Sequence, residues 1–157
     1  MAQMHERMSV AADQGAEYVA DLGFEPAFTV TLDYAPVETF HSPRGDRVFR
    51  RITGGSVSGR ITGSVYPSGG GEYSQRREDA VVDVDAHVLL RDDSAQAEWL
   101  YLRKIGYSRP DGYYRVTTWV DADVRGQHGW VLGLFFIGVG RLAADGRSLT
   151  IDYYEVA

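Results

Sequence analysis

The 157-residue chain contains no cysteine, which removes disulfides, thiolate nucleophiles and Cys-ligated zinc from consideration and fits a reducing compartment. It lacks a surplus of positive charge: 16 Lys plus Arg against 22 Asp plus Glu leave a net charge of -6. An acidic chain repels phosphate backbones, so no nucleic-acid partner is expected. The N-terminal stretch has neither a basic leader nor a continuous apolar segment of signal-peptide type. The longest apolar run, Trp130 to Val139, is too short for a membrane helix, so no membrane partner is expected and a cytoplasmic location is. No Gly-x-Ser-x-Gly elbow occurs, and the glycine-rich stretch Thr53 to Gly59 has no Gly-Lys-Ser/Thr ending. The histidines His5, His41, His87 and His128 form no closely spaced ligand pair, so neither a metal nor another cofactor is expected.

What is present is alternation. Phe28, Val30, Leu32 and Tyr34 interleave with Thr29, Thr31 and Asp33, the period of a half-buried strand. Similar segments run over Arg47 to Thr53, Val57 to Tyr66, Tyr73 to Gln75, Ala80 to Leu90, Glu98 to Ile105, Tyr113 to Asp121, Trp130 to Arg141 and Ser148 to Val156. Their connections are rich in Gly, Asp, Ser and Pro, as hairpin loops require. Gly54-Gly55 predicts a bulge or a close backbone approach. No long helical pattern separates the strands, so the sequence predicts an all-β domain over 24–157, an antiparallel up-and-down barrel of about eight strands. Residues 1–23 form an extension in which Ser9 and Gly23 would bracket a short helix over Val10 to Leu22. The run from Trp130 is apolar on both faces and calls for a cover, either the extension or a second subunit in a homodimer.

Three neighbouring strands carry one face that mixes ionic, hydroxyl and aromatic groups. They are Asp83, Asp85 and His87; Trp99, Tyr101 and Arg103; and Tyr113, Arg115, Thr117 and Trp119. Two assignments follow. Either this face meets solvent and the alternate apolar face fills the barrel, or it turns inward and lines a cavity. The arginines Arg44, Arg47, Arg50 and Arg51 are read as a solvated strand end, with an anion site as the alternative.

From Phe28 onward the chain resembles a bacterial family known as domain of unknown function 3237. The residues that carry the resemblance are Arg51-Ile52-Thr53-Gly54-Gly55, Gly70-Gly71-Glu72-Tyr73, Asp79, Asp85 and Tyr101-Leu102-Arg103. They continue through Tyr113-Tyr114-Arg115, Trp130, Phe136-Ile137-Gly138-Val139-Gly140 and Ile151 to Val156. The resemblance implies a small antiparallel β-barrel and no settled activity. Two positions depart from the family pattern: Val131-Leu132 follow Trp130 where Leu-Asn is usual, and His87 stands where an Arg is usual.

The expected function is that of a cofactor-independent isomerase, cyclase or lyase acting on a small hydrophobic or aromatic carbonyl metabolite inside the barrel, as in natural-product pathways. The alternative is a non-catalytic carrier of such a ligand. In the enzyme reading Trp99, Tyr101, Tyr113 and Trp130 form the walls. Arg103 or Arg115 stabilises a developing oxyanion, and Glu72, Asp85 or His87 moves the proton.

Overall fold

A computed structural model describes the backbone of residues 6–11 and 17–157 and the side chains from residue 22 onward. Strands β1 (Glu6–Ala11) and β2 (Glu17–Leu22) form a separate antiparallel pair. The barrel strands are β3 (Phe24–Tyr34), β4 (Glu38–Ser42), β5 (Gly45–Gly59), β6 (Gly63–Val65), β7 (Gly71–Arg76), β8 (Val82–Asp92), β9 (Trp99–Ser108), β10 (Tyr114–Ala122), β11 (Phe136–Leu142) and β12 (Ser148–Val156). Every pairing is antiparallel, in the circular order β3–β12–β11–β10–β9–β8–β7–β5 and back to β3. Eight strands therefore close the wall. The short β4 and β6 flank β5, one at each of its ends.

The expected helix over Val10 to Leu22 is not formed. The described residues of that stretch are extended, with Ser9 opposite Val19 and Val10 opposite Tyr18, while 12–16 lie outside the described residues. The helical stripe was weak and interrupted by Gly15, whereas Val10, Tyr18 and Val19 all favour strand. The expected strand from Trp130 is also shorter. Residues Gly129–Val131 make a 3₁₀ turn, Gly133 takes φ +78°, and the strand begins only at Phe136.

The anticipated Gly54-Gly55 irregularity is a bulge. Tyr34 pairs with Ile52 and Asp33 with Gly54, so β5 carries one extra residue there. Gly55 has φ +142°, and a β-carbon on it would collide with the Thr31 carbonyl. The bulge lets β5 pair with β4 and β7 in its first half and with β3 and β6 in its second.

Alternation sorts the side chains. Phe28, Val30, Leu32, Ile52, Val57, Val88, Leu90, Leu100, Leu102, Val116, Val120, Leu149 and Ile151 point inward and are buried. Burying each such side chain contributes about 1.5–3 kcal/mol before entropy is counted. One end of the barrel is plugged by Ile61, Val131 and Phe136, with Trp130 edge-on to Phe136. The opposite end carries the turns 77–81, 109–113 and 143–147 and remains open.

At the plugged end Asp92 ties three loops together. Its Oδ1 accepts hydrogen bonds from the Ser94 amide and hydroxyl and from the Glu98 amide. Its Oδ2 accepts from Gln127 Nε2 at 2.8 Å and is bonded to His128 Nε2 at 2.6 Å. Burial opposes ionisation of this carboxyl, but the donors from Ser94, His128 and Glu98 prevail and hold it down at about 2. A depressed carboxyl stabilises the fold above its ordinary range and loses that stabilisation as pH falls through the folded value. Asp92→Asn is therefore expected to lower unfolding free energy at pH 7 by about 2 kcal/mol, and by much less near pH 2. Urea titrations at the two pH values measure the difference, and equal losses at both would refute the charged latch.

Candidate active site

Toward its open end the barrel interior carries a second group of buried ionisable side chains, separated from the Asp92 cluster by the apolar core. One cross-strand row runs Arg50 (β5), Glu72 (β7), Ala86 (β8), Lys104 (β9) and Thr118 (β10), each paired directly with the next. All five sit on inward positions of their strands. Ala86 is the small member of the row, and its lack of bulk lets Lys104 reach across β8 to Glu72.

Glu72 sits at the centre. Its Oε2 accepts from Arg50 Nη1 at 3.1 Å. Its Oε1 accepts from Lys104 Nζ at 3.0 Å and from the Tyr114 hydroxyl at 3.2 Å. Lys104 also donates to the Tyr114 oxygen at 2.8 Å. Lys104 is wholly buried and Glu72 is 3% exposed. Tyr114 enters from the start of β10, and its ring lies flat over Gly140 of β11, where a β-carbon would collide with it. Tyr34 from β3 and Tyr153 from β12 complete the surroundings, both buried.

Burial alone would raise the Glu72 carboxyl, but Lys104 and Arg50 together hold it below the ordinary carboxylate range. Burial depresses the Lys104 amine, which Glu72 opposes and Arg50 reinforces. Burial raises the Tyr114 phenol well above its usual value, and the Glu72 charge and the neighbouring phenols raise it further. Tyr34 and Tyr153 are raised for the same leading reasons. Near neutrality the site thus presents a carboxylate with low basicity beside a firmly protonated phenol.

A cavity of about 490 Å³ opens onto this network. Glu72, Arg50 and Tyr114 form its floor; Val82, Val84 and Leu142 give it apolar walls; Arg76, Arg109, Arg141 and Tyr113 stand at its mouth. Each mouth arginine has an aspartate: Arg76 and Asp46 at 3.7 Å, Arg109 and Asp111 at 3.1 Å, Arg141 and Asp152 at 2.9 Å.

Of the residues singled out from the sequence, the structure brings Glu72 and Tyr113 to the cavity. Asp85, His87, Arg103 and Arg115 lie on the outer face, as do Trp99 and Tyr101. Asp85 pairs with Arg103 at 3.4 Å, and His87 meets the Tyr101 hydroxyl. Trp99 packs edge-on to Tyr66 with Arg91 4.3 Å from its ring. Trp130 is at the plugged end under Arg60, 3.7 Å from its ring centroid. The outward choice follows from desolvation: alternation forces one face of β8 to β10 inside, and the face with fewer charges costs less to bury. For Arg50, the solvated-strand-end reading is corrected by its place on the cavity floor.

Sequence reasoning missed Lys104, Tyr114 and Tyr34. A signal for the first was available. Lys104 is the sole lysine of the chain, beside fifteen arginines, and it lies on the apolar face shared by Leu100 and Leu102. Among the described residues, one group could hold a metal, the latch already described: ligand atoms of Asp92, Glu98 and His128 lie within 4.8 Å of one another. Protein donors already occupy both Asp92 oxygens. Among the described residues no helix is long and apolar enough to cross a membrane.

Fold and site together define a closed antiparallel β-barrel with an open cavity whose floor is ionic. The chain belongs to the family described as protein of unknown function (DUF3237), whose sequence profile matches residues 22–156. A β-barrel-like protein from Acinetobacter baumannii superposes with a TM-score of 0.76 at 20% identity, covering 87% of this chain and 96% of that one. A conserved protein of unknown function from Rhodopseudomonas palustris gives 0.75 at 21% identity, covering 87% and 97%. An enzyme from Penicillium herquei gives 0.66 at 20% identity, covering 87% and 93%. No curated protein sequence matches the chain. At these identities the structural likeness shows the fold.

Proposed function

We propose that the protein is an acid–base enzyme that shifts a proton on a small aryl or conjugated carbonyl compound, a step of isomerase, cyclase or lyase type. The observation that carries this reading is the contact between Glu72 and Tyr114 at the floor of an open cavity. Tyr114 donates its proton to the substrate carbonyl oxygen as negative charge develops there. Lys104, behind it, holds the phenol oxygen in place and returns the proton. Glu72 takes the proton from carbon. Because Arg50 and Lys104 make it a weak base, the substrate needs an acidified C–H, one flanked by a carbonyl and by a second activating group. The apolar walls Val82, Val84 and Leu142 suit the ring of such a molecule. The fungal neighbour is itself an enzyme on the same barrel, which supports catalysis without specifying it.

The test is deuterium uptake at the benzylic carbon of 2-tetralone in D₂O, followed by proton NMR. Protein-dependent exchange that requires Glu72 supports the enzyme. Binding of the ketone with exchange no faster than in buffer identifies a carrier instead.

A further inference from the structure

The charges at the cavity floor do not cancel. Arg50 and Lys104 face a single carboxylate, Glu72, whereas every arginine at the mouth has its own aspartate. Burying unmatched positive charge is expensive, so an interior with one excess cation favours whatever anion completes it. The unmatched capacity can be located. Arg50 spends Nη1 on Glu72, and its Nε is buried without an acceptor among the described residues. A guanidinium offers two bidentate edges. With Nη1 committed, the edge left over is the one formed by Nε and Nη2. The Tyr34 hydroxyl is also buried without a partner, and the Arg50 guanidinium carbon lies 5.9 Å from the Tyr34 ring centroid. Two donors without acceptors beside one surplus positive charge describe the complement of a carboxylate.

We infer that the ligand of this cavity is a carboxylic acid bound as its anion. The carboxylate sits side-on against Nε and Nη2 of Arg50 with Tyr34 as a further donor, and its apolar body extends along Val82, Val84 and Leu142 toward the mouth. This assignment rests on the cavity being the functional site and names the substrate class for it: an aryl or conjugated keto acid, tethered at Arg50 so that its carbonyl meets Tyr114. A planar two-oxygen anion matches the planar fork. A tetrahedral phosphate would leave oxygens facing the apolar wall.

The experiment is a calorimetric titration of the whole chain with 1-naphthoate, 1-naphthamide and 1-naphthyl phosphate in low-chloride buffer. The expected result is measurable binding of 1-naphthoate, with the amide and the phosphate each at least tenfold weaker. Arg50→Lys keeps the charge and removes the fork, and is expected to weaken 1-naphthoate at least tenfold. Tyr34→Phe disturbs the fold less and is expected to weaken it severalfold. Equal binding of naphthoate and naphthamide, tighter binding of the phosphate, undetectable naphthoate binding, or full affinity in both variants overturns the carboxylate assignment. Exchange of neutral 2-tetralone is read separately. If it persists while naphthoate fails, the acid–base function stands without the carboxylate handle; if naphthoate binds and exchange is absent, the reverse holds.

Discussion

Glu72→Gln is expected to lower the unfolding free energy by roughly 3–5 kcal/mol at pH 6, the loss typical when one member of a buried ionic group is removed. The amide keeps the shape of the side chain but leaves Arg50 and Lys104 facing each other with no counter-charge. The pH dependence separates this cause from simple mispacking. Glu72 is held below the ordinary carboxylate range, so in the native protein it contributes stability above that range and loses it as pH falls through the folded value. Lys104 is depressed from 10.5 by burial, so its charged form weighs against folding at low pH, and that burden lifts as pH rises toward the unfolded value. In the variant the burden grows, because the carboxylate that opposed it is gone. The gap between variant and native protein is therefore largest around neutral pH; it narrows in acid, where native Glu72 is itself protonated, and narrows again near pH 10 as the ammonium burden lifts. Adding Lys104→Met to the variant removes the stranded ammonium and should recover part of the loss. Urea unfolding at pH 6 and pH 9.5 decides the matter. A loss below about 1 kcal/mol at pH 6 would show that the ionic row does not hold the barrel together.

Tyr114→Phe should lower protein-catalysed exchange of 2-tetralone by about 10²- to 10⁴-fold, the span expected for removing a positioned acid. Stability should fall by only about 1–2 kcal/mol, because Glu72 keeps Lys104 and Arg50 as donors. The phenol is held well above its usual pKa, so this acid remains protonated into the alkaline range. The acid limb of the native profile follows Glu72 and lies below the ordinary carboxylate range. Exchange within threefold of native, in a variant whose unfolding curve confirms the fold, would remove Tyr114 from the chemistry.

Strand alternation was enough to reveal the barrel. Period-2 segments such as Phe28 to Tyr34 and Tyr113 to Asp121 became barrel staves, and Gly54-Gly55 marked the bulge. The extension escaped because Ser9 and Gly23 also bracket a helix, and only pairing partners distinguish the two outcomes. The site was harder for a physical reason. Polar and aromatic residues attract notice where they are abundant, as on the face of Trp99, Tyr101 and Arg103. A barrel of this kind turns its sparsely polar face inward. There, one Lys among leucines, one Tyr at the head of Val116 and Val120, and one Glu in the short strand β7 each look like an exception. They become a group only when the register sets Arg50, Glu72, Ala86 and Lys104 side by side, and a single strand read alone carries no register.

The solitary ε-amine also makes the protein its own gauge of breathing. Reagents that acylate or reductively methylate primary amines find no lysine on the outside of the folded barrel, since Lys104 has no exposed surface. Label accumulates on that side chain only while the wall is parted, so the rate at which this one site gains mass counts opening events without any engineered probe.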